Sequence, residues 1–200
     1  FKSYDERVFT PVIRKEIRAA APKDLGHYTV YLPGYHDDVL MHFLRQFEVK
    51  WEVFSKHAKY AYRVDNVFIE PISQARFQES LISASGVLCG AGFELPSEAL
   101  FLGKKTMVIP MKGHYEQTCN ALGAAEVGAS TIAELDLIYH RQINYWLGQD
   151  KQAPLLYADQ TEQILIDLLT QFEKQGKAAY QPLEEFQTLK QKLGLLRYFF

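Results

Sequence analysis

Apolar and polar residues alternate along this chain in two registers. His27–Leu32 (HYTVYL) packs β-branched and aromatic residues into a short run that stops at Pro33-Gly34, which reads as a strand. The spacing then becomes helical. Val39, Leu40, Phe43, Leu44 and Phe47 fall on one face, with Asp37 or Asp38 placed to cap it. The same alternation recurs downstream. Trp51–Phe54, Asn66–Glu70 before Pro71, Gly86–Cys89, and Thr106–Ile109 before Pro110 read as further strands. Between them, Phe77, Leu81 and Ala84 mark one helix, and Leu95, Ala99 and Leu102 mark another that ends near Gly103. Tyr115–Val127 is again helical, with Cys119, Leu122 and Ala125 or Glu126 on successive turns.

Strands that alternate with helices predict an α/β fold, a three-layer Rossmann-like sandwich around a mostly parallel sheet of about six strands. Three helical segments follow the sheet. They are Thr131–Leu147, then Gln163–Lys174 with Ile164, Leu165, Leu168, Leu169 and Phe172 on one face, then Leu183–Leu196. Lys151–Asp159, with Pro154, reads as a loop. The expected organisation is a linker or docked extension over residues 1–25, the main domain over 26–180 and a C-terminal helix over 181–200.

Composition narrows the function classes. The chain has 200 residues, 48% hydrophobic and 23% charged, which suits one globular domain. Its net charge of −2 lacks the basic excess of a general nucleic-acid binder. No apolar run approaches the roughly 18 residues of a membrane span. Two cysteines make no disulfide framework, so a reduced, cytoplasmic chain is expected, with Cys89 and Cys119 both in the core. His27, His42, His57 and His140 lack metal-ligand spacing. The first residue is Phe and the opening residues read as mid-chain sequence, so a fragment of a longer protein is expected.

Ligands of open parallel sheets bind beyond the carboxyl ends of the strands. Three such ends stand out here. Pro33-Gly34-Tyr35-His36 follows the first strand. Gly90-Ala91-Gly92-Phe93 follows a buried strand and leads straight into a helix. Pro110 to Gln117 (PMKGHYEQ) leads into another. Small residues let a backbone approach a ligand closely, and free N–H groups at a helix start suit phosphate. Glu98 lies within reach of that end and could accept hydrogen bonds from a ribose diol. Glu116-Gln117 offers a carboxylate and an amide to a polyhydroxyl ligand, and His114 lies in the same loop. The plainer alternative is a tight turn, a solvated Glu98 and a helix-start carboxylate at Glu116 that only offsets the dipole.

The composite stretch GAGFELPSEALFLGKKTMVIPMKGHYEQTCNA, continuing from the strand at Gly86, resembles the donor-binding signature of GT-B nucleotide-sugar glycosyltransferases, of the MurG and UDP-glycosyltransferase kind. The resemblance implies that the chain is the C-terminal, donor-binding half of a GT-B fold. It implies that Glu98 holds the ribose diol, that Gln117 with Glu116 contacts sugar hydroxyls, and that the Gly90–Phe93 turn meets the diphosphate. It also implies that the Ile69 backbone reads the base edge and that Gly34 and Tyr35 lie in a loop facing the interdomain cleft. The donor is then a substrate, UDP-sugar by family frequency, and neither cofactor nor metal is expected. The general base and the acceptor pocket, whether for a sugar, a lipid-linked or a small acceptor, are expected in an N-terminal domain, which leaves peripheral membrane contact there open. The isolated piece is expected to turn over little, with its last helix a candidate to dock on that domain. This chain departs from relatives at Gly90, where plant members carry His, at Leu95, where many carry Ser or Thr, and in its glycine-poor Pro33 loop. A nucleotide-sugar 2-epimerase and a non-catalytic nucleotide-sugar binding module stay as alternatives.

Overall fold

The computed structural model describes residues 8–176, which fall into two compact units divided after Ala158. The first unit opens with a single helical turn, α1 (Lys15–Arg18). It continues as β1 (His27–Tyr31), α2 (Asp37–Leu44), β2 (Lys50–Ser55), β3 (Tyr62–Val64), β4 (Val67–Pro71), α3 (Gln74–Ser83), β5 (Gly86–Gly90), α4 (Glu94–Phe101), β6 (Lys105–Ile109), α5 (Tyr115–Ala125), β7 (Ser130–Thr131) and α6 (His140–Leu147). The second unit contributes α7 (Thr161–Gly176). The expected helix at Leu183–Leu196 and the Tyr198-Phe199-Phe200 end lie outside the described residues.

The sheet runs β3-β4-β2-β1-β5-β6-β7, and every pairing is parallel except β3 on β4. Side chains alternate across it. Tyr28, Val30, Trp51, Val53, Val67, Ile69, Leu88, Met107 and Ile109 point to one face and pack under α2 and α6. Val87, Cys89 and Val108 point to the other, under α1, α3, α4 and α5. Both faces are thus covered, which is the condition a parallel sheet needs.

Four local readings differ from expectation. The sheet has seven strands, because Tyr62–Val64 forms a hairpin on β4 through Asp65, whose φ is +53°, and Ser130–Thr131 extends β6. Both added strands are too short to show periodicity. Strand pairing also consumes the start of the expected Thr131–Leu147 helix. Asp136 then caps a 3-10 turn at Leu137–Tyr139 by accepting from the Ile138 N–H at 2.9 Å, and α6 begins only at His140. His36, rather than Asp37 or Asp38, is the residue preceding α2, and Val39 is exposed while Leu40, Phe43, Leu44 and Phe47 are buried. Finally, α5 buries Ala121 and Ala124, and Cys119 and Leu122 face water. The small residues are the ones that let α5 lie close on the sheet, so its buried face is turned from the one that the bulkier residues suggest.

The lower edge of the sheet, where the parallel strands begin, is fastened by one side chain. Lys104 is 3% exposed, and its ammonium donates to the carbonyls of Lys23 at 2.6 Å, Ile82 at 2.7 Å and Ala84 at 2.8 Å. Burial pulls its pKa down to about 8, while three carbonyl dipoles favour the protonated form. Beside it, the Lys105 ammonium and the Tyr28 hydroxyl both donate to the Leu147 carbonyl at the end of α6.

Lys104→Met removes all three donors at once. It should lower the free energy of urea unfolding by about 2–3 kcal/mol, since the Lys23 and Ala84 carbonyls lose the ammonium while that of Ile82 keeps the Lys23 N–H. The two cysteines should separate by reactivity. Burial raises the Cys89 thiol to about 12, whereas Cys119 is exposed. A thiol reagent should therefore modify the folded protein at Cys119 alone, with Cys119→Ser abolishing the fast phase and Cys89 reacting only on unfolding.

Candidate functional site

Because β1, β2, β4, β5 and β6 run the same way, their carboxyl ends share the upper edge of the sheet. That edge gathers the candidates from separate parts of the sequence. Gly34 and Tyr35 follow β1, Gly90 to Phe93 join β5 to α4, and His114, Glu116 and Gln117 open α5, whereas Ile69 is the middle residue of β4, its backbone set between β2 and β3 and not free at the edge.

The Gly90–Phe93 turn is held from both sides. The Ala91 N–H donates to the Ile109 carbonyl at 3.0 Å, and the Ala91 carbonyl accepts from Asn120 Nδ2 at 3.2 Å. Ser97 Oγ donates to the Phe93 carbonyl at 2.6 Å, tying the turn to α4. The glycines within it answer to no internal packing. A Cβ at Gly92 would meet no protein atom within 4 Å, and one at Gly90 would only touch the Ile109 carbonyl at 4.0 Å. Neither residue has the positive φ that favours glycine. Gly86 is the opposite case, since a Cβ there would lie 2.7 Å from the Lys105 carbonyl and from the Tyr28 ring. Gly86 serves the fold; Gly90 and Gly92 leave backbone uncovered at the sheet edge, where α4 starts.

The 110–117 loop is ordered by its own polar groups. His114 caps α5, its Nδ1 accepting from the Gln117 N–H at 3.3 Å, which fixes the proton of a neutral ring on Nε2. Gln117 Oε1 accepts from the Met111 N–H at 2.8 Å, which leaves its amide nitrogen as the outward donor. Glu116 is exposed. Tyr35 is half-buried, and its hydroxyl accepts from the Leu135 N–H at 3.4 Å. Ile69 is fully buried, opposite Val53 of β2 and opposite Tyr62, the first residue of β3.

Glu98 differs most from the plain expectation of a solvated helix carboxylate. It is 3% exposed, and both of its oxygens are held by one arginine, Arg14 Nε on Oε1 and Nη2 on Oε2, each at 2.6 Å. This pairing raises the pKa of the guanidinium, chiefly through the hydrogen bond to Glu98. Arg14 lies in the segment before β1, where the sequence showed little periodicity. A signal was there nonetheless. Ile13 and Ile17, four apart, are both buried, and Arg14 and Arg18 repeat the same spacing one residue on.

A second polar group at the upper edge also went unpredicted. Ser55 Oγ donates to Asp37 Oδ1 and accepts from the His57 and Ala58 N–H groups, and the Tyr62 hydroxyl donates to Asp37 Oδ2 at 3.3 Å. The His36 and His57 rings stack on each other with centroids 4.7 Å apart. Ser55 gives its proton to a carboxylate and not to an imidazole, which is the wrong order for nucleophilic catalysis. Among the described residues no group of three or more His, Cys, Asp or Glu could hold a metal ion, and no helix is long and apolar enough to cross a membrane.

Comparison with known proteins bears on this geometry. The chain is similar to MurG of Acinetobacter baumannii, at 20% identity and a TM-score of 0.51, over 86% of this chain and 57% of that one. It is similar to the glycotransferase of kitacinnamycin, at 17% identity and a TM-score of 0.50, over 72% of this chain and 42% of that one. At such identities the likeness is one of fold, and the chain spans about half the length of these structures. No curated protein sequence matches the chain. The sequence itself matches glycosyl transferase family 1 over residues 2–149, a stretch that includes the sheet, the open glycine turn and the Glu116-Gln117 helix start; the chain belongs to that family.

Proposed function

We propose that this chain binds a nucleotide-diphosphate sugar, with UDP as the nucleotide, and takes part in sugar transfer to an acceptor hydroxyl or amine. The observation that carries the reading is the uncovered backbone at Gly90 and Gly92, glycines that neither φ nor internal contact demands, next to the start of α4. A diphosphate there would accept from backbone N–H groups at the positive end of the helix. The same donors would stabilise the charge that develops on the leaving diphosphate, with no metal required for that role. Glu98 takes the ribose diol. The outward amide of Gln117, with Glu116, takes the sugar hydroxyls, and His114 Nε2 donates nearby. Gly34 and Tyr35 border the cleft. The general base and the acceptor site belong to the part of such an enzyme beyond this chain, in keeping with its coverage of 42–57% of the similar structures.

Calorimetric titration with UDP, GDP and dTDP tests the reading. UDP should bind, and Glu98→Gln and Glu98→Ala should each weaken it by about 10-fold or more, the loss of charge-assisted hydrogen bonds to the diol. A UDP-sugar should gain affinity over UDP, and Gln117→Ala should remove that gain. Absence of binding by any of the three nucleotides at millimolar concentration overturns the proposal.

A further inference from the structure

A buried carboxylate next to a diphosphate site poses two physical problems. Its negative charge repels the ligand, and without a fixed partner its side chain does not hold one orientation. Glu98 is such a group, with only 4% of its side chain exposed. Its position on α4 tilts the side chain back toward Glu94 and the Gly90–Phe93 turn. Arg14 answers both problems. The guanidinium meets the two oxygens through Nε and Nη2, a planar two-point contact that fixes the plane of the carboxylate as well as its position. Its charge offsets that of Glu98, and the hydrogen bond to Glu98 raises the guanidinium pKa further.

Arg14 is itself held. Ile13 and Ile17 on either side are 5% and 0% exposed, within the apolar cluster under α4 and α5. One turn on, Arg18 Nη1 donates to the Tyr157 carbonyl at 2.7 Å, and its guanidinium lies 5.3 Å from the centre of the Phe101 ring. The segment before β1 is therefore fastened by contacts other than the Arg14–Glu98 pair, and it presents Arg14 to Glu98 from a fixed base.

We infer that Arg14 is a positioning residue for the donor ribose: it orients the Glu98 carboxylate and neutralises it beside the diphosphate, while the second lone pair of each oxygen accepts from the diol. The inference rests on the donor-site reading above and adds to it a residue remote in sequence, placed in the segment that leads into the sheet. A purely structural strap would make a different prediction. It would lose stability on substitution without losing discrimination at the ribose.

The test compares UDP with 2′,3′-dideoxy-UDP by calorimetry on the wild-type chain, Arg14→Met and Arg14→Lys, with thermal denaturation alongside. The wild type should prefer UDP by about 10-fold, the worth of hydrogen bonds to an ionised carboxylate. Arg14→Met should bring the two ligands to within about 2-fold, because the carboxylate has lost both its orientation and its charge partner. Arg14→Lys, which keeps the charge and loses the planar fork, should fall between, and it carries the test if Arg14→Met does not fold. A wild-type preference retained in a folded Arg14 variant overturns the inference and leaves the donor site standing. A wild type that binds UDP and the dideoxy ligand equally overturns the role of Glu98 and this inference with it, and a wild type that binds neither overturns the donor site itself.

Discussion

A parallel sheet has no face that can be left to water, and the rest of this structure follows from that constraint. Its crossover connections place α2 and α6 on one side and α3, α4 and α5 on the other. The apolar side chains of the strands are divided between the two layers by simple alternation. The same parallelism sends all carboxyl ends to one edge and all amino ends to the opposite one. The candidate residues collect at the first, where loops of different origin meet. The second is closed, with Lys104 drawing together the entries to β1, β5 and β6.

The two faces of the sheet are not equivalent in chemistry. Under α2 and α6 the strands bury aromatic and aliphatic side chains around Trp51 and Trp146. Under α3 they bury polar ones. Thr29 bonds Ser80, the His27 ring meets Ser80 and lies 3.4 Å from Glu52, and Arg76 bridges Glu52, Glu70 and Glu79. The Arg14–Glu98 pair belongs to the same layer. At Glu98 and at Glu70 a carboxylate with little access to water is matched by an arginine that is itself 42–43% exposed. Such pairs add little net stability, since the desolvation of a buried charge offsets most of its attraction. Their value lies in fixing a carboxylate in one place, and at Glu98 that place is next to the open turn.

Glycine shows how one residue type serves two ends in neighbouring positions. Gly86 is required because β5 passes close to Lys105 and Tyr28; Gly92, six residues on, has open space where its side chain would be. Asn120, reaching from α5 to the Ala91 carbonyl, keeps the open turn from relaxing into that space. The turn is thus uncovered and held at once, which is the state a binding backbone needs to be in before a ligand arrives.

The sequence by itself determined the α/β class, five of the strands and most of the helices, because period-2 and period-3.6 patterns are local and survive without tertiary context. It also marked the upper-edge candidates, since Pro and Gly punctuate strand ends wherever they occur. What it could not show depended on packing at a distance. The two-residue β7 exists only because β6 offers it a ladder, and β3 only because β4 does. The buried face of α5 was settled by how closely the helix approaches the sheet, which favours Ala121 and Ala124 over Cys119 and Leu122. Above all, no local pattern could join Arg14 to Glu98. They are 84 residues apart, and only the folded chain brings a guanidinium from an apparently featureless segment against the carboxylate that the motif had marked.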